Sequence, residues 1–223
     1  MRPIQNADGH VGLTARSYPI AANTSIAFGQ LVKLSSGAIA AAGDAETGAL
    51  VGVAAENHPG TADALDPRAN GKEIFVCDNP GLIFECPAPT FKAASGSATT
   101  IVPASGDIAA AAADDTYNGS IVVLKKKAAA STNTDVVGVH RAVSDYAKTG
   151  TILTVASGGT ASSGDVYELY PALGSAVCAL SSASKLVITG TGATSVRVVG
   201  HDFERHMLRC MASLHTLAVE QDG

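Results

Sequence analysis

Apolar residues in this chain fall in short runs with period-two alternation, broken at roughly ten-residue intervals by clusters of Gly, Ser, Thr, Asn and Asp. Half-buried strands have that rhythm; an amphipathic helix needs apolar positions recurring at three and four residues over several turns. In the first half the pattern predicts a hairpin in which Ser35-Ser36-Gly37 joins Leu31–Leu34 to Ala38–Ala42, then a strand over Leu50–Ala55. A second hairpin is expected where Asp78-Asn79-Pro80-Gly81 joins Ile74–Cys77 to Leu82–Cys86. The second half predicts strands over Ile121–Leu124, Val136–His140, Ile152–Val155, Val166–Leu169, Leu186–Ile188 and Val196–Gly200. Turn signals end nearly every apolar run before a helix completes three turns, so strands should dominate, with helix below roughly 15% of residues.

The two halves share vocabulary. Phe28–Leu34 echoes Ser163–Leu169, and Leu50–Val53 echoes Val136–Val139, which makes a duplicated or pseudo-symmetric architecture one reading. Two segments resist the strand pattern. Residues 107–115 open on a good N-cap, Asp107, and run into alanines, so a short helix or helical turn is expected there. In the tail, Phe203, Met207, Leu208, Met211, Leu214 and Ala218 fit a helical stripe better than alternation. Met1–Thr14 is rich in Pro, Asn, Asp and Gly without sustained alternation, and reads as an arm outside the core.

Composition sharpens the picture. The hydrophobic fraction is 46%, yet Trp is absent and aromatics reach only 4%, so the core should be built mainly from Ala, Val, Leu and Ile. Charged residues are only 16%, below the roughly 25% of an average domain, and a surface that poor in charge is usually covered in part by other protein. The net charge of −5 argues against direct nucleic-acid binding; the one basic run, Lys125-Lys126-Lys127, is read as a solvated strand end. The beginning of the chain lacks an apolar signal region and no stretch reaches the ~20 apolar residues of a membrane helix, so synthesis in a reducing cytoplasm and buried free thiols at Cys77, Cys86, Cys178 and Cys210 are expected.

The sequence has no Gly-x-Ser-x-Gly elbow, no phosphate-cradling loop and no His-Glu-x-x-His, and the cysteines form no CxxC pair. No enzyme activity, cofactor or metal is therefore expected. His201, His206 and His215 are the densest histidine group, but neither strand nor helix spacing brings all three to one face, and a Cys210–His206 or Cys210–His215 nucleophilic pair has no further support. Asp114-Asp115 with Asn118-Gly119 lacks the alternating ligands of a calcium loop and reads as a turn.

The order Ile26–Leu34, Gly37-Ala38-Ile39, Leu50–Ala54, Lys72–Val76 and Pro80-Gly81-Leu82 resembles the capsid cement (decoration) proteins of tailed bacteriophages that carry a β-tulip domain. The likeness covers roughly residues 14–90, with a weaker echo through 120–202. It implies an all-β, β-tulip or β-barrel-like domain over 15–105, with 106–223 as a second β lobe or the completion of the same domain. It implies a non-enzymatic virion protein, made in the bacterial host cytoplasm, that sits as a homotrimer on the capsid exterior. There it would bind the major capsid protein at three-fold and quasi-three-fold positions. The arm would make the contact, through Arg2, Pro3, Ile4 and Gln5 with Arg16. The same family order favours an extended tail over Met207–Val219. The alternatives are a head-fibre base or other minor virion component, and a carbohydrate-binding adhesin, for which the absence of Trp is unfavourable.

Overall fold

The computed structural model describes residues 2–6, 14–21, 24–42, 50–60, 73–108, 114–175, 178–180, 186–188 and 196–212. Among the described residues every regular element is a strand. In chain order these are β1 (Arg2–Asn6), β2 (Ala15–Pro19), β3 (Ser25–Ile26), β4 (Leu31–Ser35), β5 (Ala38–Ala41), β6 (Leu50–Ala54), β7 (His58–Pro59), β8 (Glu73–Cys77), β9 (Leu82–Pro87) and β10 (Thr90–Gly96). They continue with β11 (Thr100–Pro103), β12 (Ile121–Lys126), β13 (His140–Ala147), β14 (Ile152–Val155), β15 (Val166–Tyr170), β16 (Cys178–Leu180), β17 (Leu186–Ile188), β18 (Val196–Asp202) and β19 (Met207–Ala212).

Three sheets carry the architecture: a closed barrel β10-β11-β14-β13-β12-β15, a six-stranded sheet β1-β9-β19-β18-β16-β17, and a five-stranded sheet β2-β8-β6-β4-β5, with β3-β7 as a small ribbon. The chain is thus all-β and barrel-containing. One hydrophobic core runs through all three sheets, from Leu31, Leu50 and Val53 by way of Leu82 and Phe84 to Phe91, Ile101, Leu124 and Tyr167 in the barrel and Val198 and Leu208 beyond it. A second cluster of Ile26, Val32, Ile39, Val51, Ala54, Ile74 and Val76 covers the other face of the five-stranded sheet. That is why every residue of β6 is buried: the strand has core on both faces.

Several expectations need correction. Ile74–Cys77 and Leu82–Cys86 are both strands, but they do not pair with each other. The turn forms, with Leu82 N donating to Asn79 O (2.9 Å) and Gly81 N to Asn79 Oδ1 (2.8 Å), yet β8 pairs with β2 and β6 while β9 pairs with β1 and β19. Alternation fixes which face of a strand is buried and says nothing about which distant strand completes its ladder. Val136–Val139 is a turn, with Gly138 at φ 92° and its N donating to Leu124 O, and the strand begins only at His140. The echo between Leu50–Val53 and Val136–Val139 therefore matches a strand to a turn, whereas Phe28–Leu34 and Ser163–Leu169 share a turn with a positive-φ glycine, Gly29 or Gly164, that leads into β4 or β15.

The barrel takes β10 and β11 from before residue 105 and β12 to β15 from after it. The barrel, Thr90–Tyr170, is inserted between β9 and β19, which are neighbours in one sheet. The arm is not free of the body either, because residues 2–6 form β1 and pair with β9. Of the helical turn expected over 107–115, residues 109–113 lie outside the described residues; Asp107 is in a turn and Ile108 bridges Ser105. The tail is extended through Ala212, and 213–219 lie outside the described residues.

The core is built mainly from Ala, Val, Leu and Ile, as expected, and it also takes in most of the few aromatics. Of the ten Phe and Tyr residues in the chain, Tyr117, Tyr146, Tyr167, Tyr170, Phe84 and Phe91 are fully buried. Tyr117 meets Tyr146 edge-on at 4.7 Å, and Phe91 stacks on Tyr167 at 5.6 Å. A few large rings fill volume that many small side chains would otherwise have to supply.

Candidate interaction surface

The five residues singled out for contact with a partner lie on two outer strands. β1 is the edge of the six-stranded sheet and β2 the edge of the five-stranded one. β1 runs against β9 and β2 against β8, with Asn6 opposite Leu82 and Ala15 opposite Cys77. Arg2 faces Glu85 in register, Pro3 faces Phe84, Gln5 faces Ile83, and the bulge falls at Ile4. Arg16 stands near the crossover, its side chain 66% exposed and 3.6 Å from the buried Asp78 carboxylate, which also accepts the Tyr18 hydroxyl. Burial first, then the Asp78 hydrogen bond and charge, push the Tyr18 phenol up to about 12. Arg2 and Arg16 therefore stand on the edge strands of two different sheets.

Polar groups lock the barrel to the six-stranded sheet. The turn Phe203–His206, between β18 and β19, reaches the barrel: the Phe203 ring lies 4.6 Å from Tyr170 and 4.5 Å from His140. His206 Nδ1 donates to Glu168 Oε2 at 2.8 Å, Tyr170 OH donates to the same oxygen at 3.0 Å, and Lys125 Nζ donates to Oε1 at 2.7 Å. Glu168 is fully buried, which by itself would raise its pKa, but the Lys125, His206 and Tyr170 hydrogen bonds prevail and hold the carboxyl below its usual range. Lys125 is accordingly more than a solvated strand end. On the sheet side Arg205 Nη1 pairs with the buried Glu85 at 2.8 Å.

A second network stiffens the loops at one end of the barrel. Asp165, fully buried, accepts from Ala128 N (2.9 Å), Ser162 N (3.1 Å) and Asn133 Nδ2 (3.0 Å). Burial works against its ionisation, and these hydrogen bonds with that of Ser131 overcome it and keep the pKa low. The buried Arg141 pairs with Asp135 and donates through Nη2 to Gly159 O at 2.6 Å. A Cβ on Gly158 would fall 2.1 Å from that guanidinium nitrogen, so any larger residue there would have to displace the guanidinium. The fixed loop holds Val136 and Val137 in solvent, 71% and 59% exposed. Phe28, Leu34, Phe75 and Leu173 are the other large apolar side chains left exposed among the described residues.

The residues weighed for catalysis or metal binding go to separate partners. His201 Nε2 meets Pro171 O at 2.8 Å, His206 engages Glu168, Cys210 Sγ faces Cys86, and His215 lies outside the described residues. Among the described residues no group of three His, Cys, Asp or Glu is placed to share a metal ion. The Asp114–Gly119 segment is a turn in which Asp114 accepts from Lys148 N and Asp115 from Asn118 Nδ2. A cleft of about 230 Å³ beside Pro103–Gly106, Ile108, Gly150 and Thr151 has no titratable side chain in its lining. The buried Glu168, Asp165 and Arg141 were missed at the level of sequence. The available signal was a lone carboxylate inside the apolar strand Val-Tyr-Glu-Leu-Tyr, where burial forces a partner. No protein-family model, curated protein or solved structure matches the chain.

Proposed function

We propose that the chain is a structural virion protein, a cement protein that decorates the outside of a tailed-phage capsid and stabilises contacts between major capsid subunits. The observation that carries this reading is the N-terminal edge: residues 2–6 form the outer strand of a sheet whose β18–β19 turn is tied, through His206 and Glu168, to the barrel. An outer strand offers a row of main-chain donors and acceptors for which a shell subunit is a natural complement, without any chemistry at a side chain. Rigid loops with exposed valines and a weakly charged surface suit the same work.

The reading is tested by asking whether the protein co-purifies with capsids in copy numbers matching their three-fold positions. Removal of residues 2–6 should leave a folded protein that binds capsids at least ~10-fold more weakly, since each ~1.4 kcal/mol of lost contact is a factor of ten. Full binding by the truncated form would remove β1 from the interface, and absence from capsids would overturn the reading. In isolation the protein should self-associate at micromolar concentration, because low charge leaves edges and apolar side chains that self-association would cover, and the resemblance to cement proteins selects a trimer, which light scattering would detect. A stable monomer would refute that part.

A further inference from the structure

We infer that Cys86 and Cys210 form a redox-modification site that closes to a disulfide on exposure to a peroxide. The two residues lie on neighbouring antiparallel strands, Cys86 opposite Leu208 and Cys210 opposite Phe84, so they are diagonal neighbours on one face of the sheet. Both are fully buried, and their sulfurs are 3.6 Å apart, in van der Waals contact. A disulfide needs the sulfurs at about 2 Å, and the remaining approach is a matter of side-chain rotation and a small movement of the strands. Cys77, the other described cysteine thiol, sits on β8 in a different sheet.

The chemistry balances with hydrogen peroxide as the oxidant. One cysteine, as thiolate, attacks a peroxide oxygen; the O–O bond breaks and hydroxide leaves with the thiol's proton as water, giving a sulfenic acid. The second sulfur attacks that sulfenic sulfur, the S–O bond breaks, and a second water leaves. Two thiols and one peroxide become one disulfide and two waters. Burial makes the first step slow and restricts it to small oxidants that enter during local opening, while contact between the sulfurs makes the second step fast relative to over-oxidation. The bond would tie β19, beyond the barrel, to β9, before it, closing the long loop that contains the whole barrel. Its timing rests on the capsid reading: a virion leaves the reducing cytoplasm in which its proteins were made.

The test is peptide mapping under non-reducing conditions after treating the full chain with hydrogen peroxide and alkylating in denaturant. A linked pair of peptides carrying Cys86 and Cys210, separated by dithiothreitol, is expected, together with a Tm higher by about 5–10 °C. Cys86→Ser and Cys210→Ser should each abolish both the link and the rise. Thiols that stay unmodified, sulfinic acids without a link, or a link that leaves Tm unchanged would overturn the inference. The map reads the isolated protein, so failure of capsid co-purification leaves its outcome untouched.

Discussion

Glu168→Ala should lower the unfolding free energy by about 3 kcal/mol, and Tm by roughly 6–12 °C for a chain of this length. The carboxylate is fully buried and serves Lys125, Tyr170 and His206 at once. Lys125 and His206 are half exposed and can recover water, but the Tyr170 hydroxyl is buried and would be stranded, at about 1–3 kcal/mol. The cavity and the loosened barrel–sheet joint add the rest. Glu168→Gln keeps the volume and should cost less. A Glu168→Ala protein melting within about 2 °C of the parent would show that the joint is held by Phe203 packing alone.

The same carboxyl sets a pH dependence. Its folded pKa lies below the unfolded value of 4.5, so its contribution is fully present above that pH and is lost as pH falls through the folded value. Asp165, depressed from 3.8, acts in the same direction over a lower window. Stability should therefore fall steeply below about pH 4.5, and Glu168→Gln should flatten the upper part of that fall. Thermal melts between neutral pH and about pH 3 measure it.

The strand content was legible because period-two alternation and turn chemistry act locally: Leu31–Leu34 and Ala38–Ala41 pair across Ser36-Gly37 as the residues demand. Partner choice was not legible. Met207 to Ala212 carries a helical spacing of apolar residues yet pairs with both β18 and β9, because two adjacent ladders satisfy its backbone and bury Leu208 and Cys210. Val136 and Val137 look like strand and stand in solvent, since Arg141, Asp135 and Gly159 fix their loop from beneath. The N-terminal stretch lacked alternation because an edge strand with a bulge at Ile4 needs only one ladder, to β9. The polar joints around Glu168 and Asp165 join residues ~30–40 positions apart, and only the assembled barrel brings them together.

Gly52→Ala should be at least as damaging, destabilising by about 3 kcal/mol or more, although the change adds a single methyl group. Gly52 lies in the doubly buried strand β6, where Val53 pairs with Cys77 and the neighbouring chain begins to leave for the other sheet. An added Cβ would lie 1.9 Å from the Cys77 carbonyl oxygen, 2.8 Å from its carbon and 3.0 Å from Asp78 Cα. All three are backbone atoms, so no side-chain rotation relieves the clash, and the end of β8 must move. Asp78 would move with it, disturbing the Tyr18 hydrogen bond and the Arg16 ion pair that hold β2 at the edge. Gly106→Ala is the control: its φ of 86° makes alanine strained, but nothing lies within 4 Å, so the cost should stay near ~1 kcal/mol. Melting curves of the two variants should separate by roughly 4–8 °C, with Gly52→Ala lower, and equal midpoints would mean that β6 and β8 are less tightly apposed than the 1.9 Å approach requires.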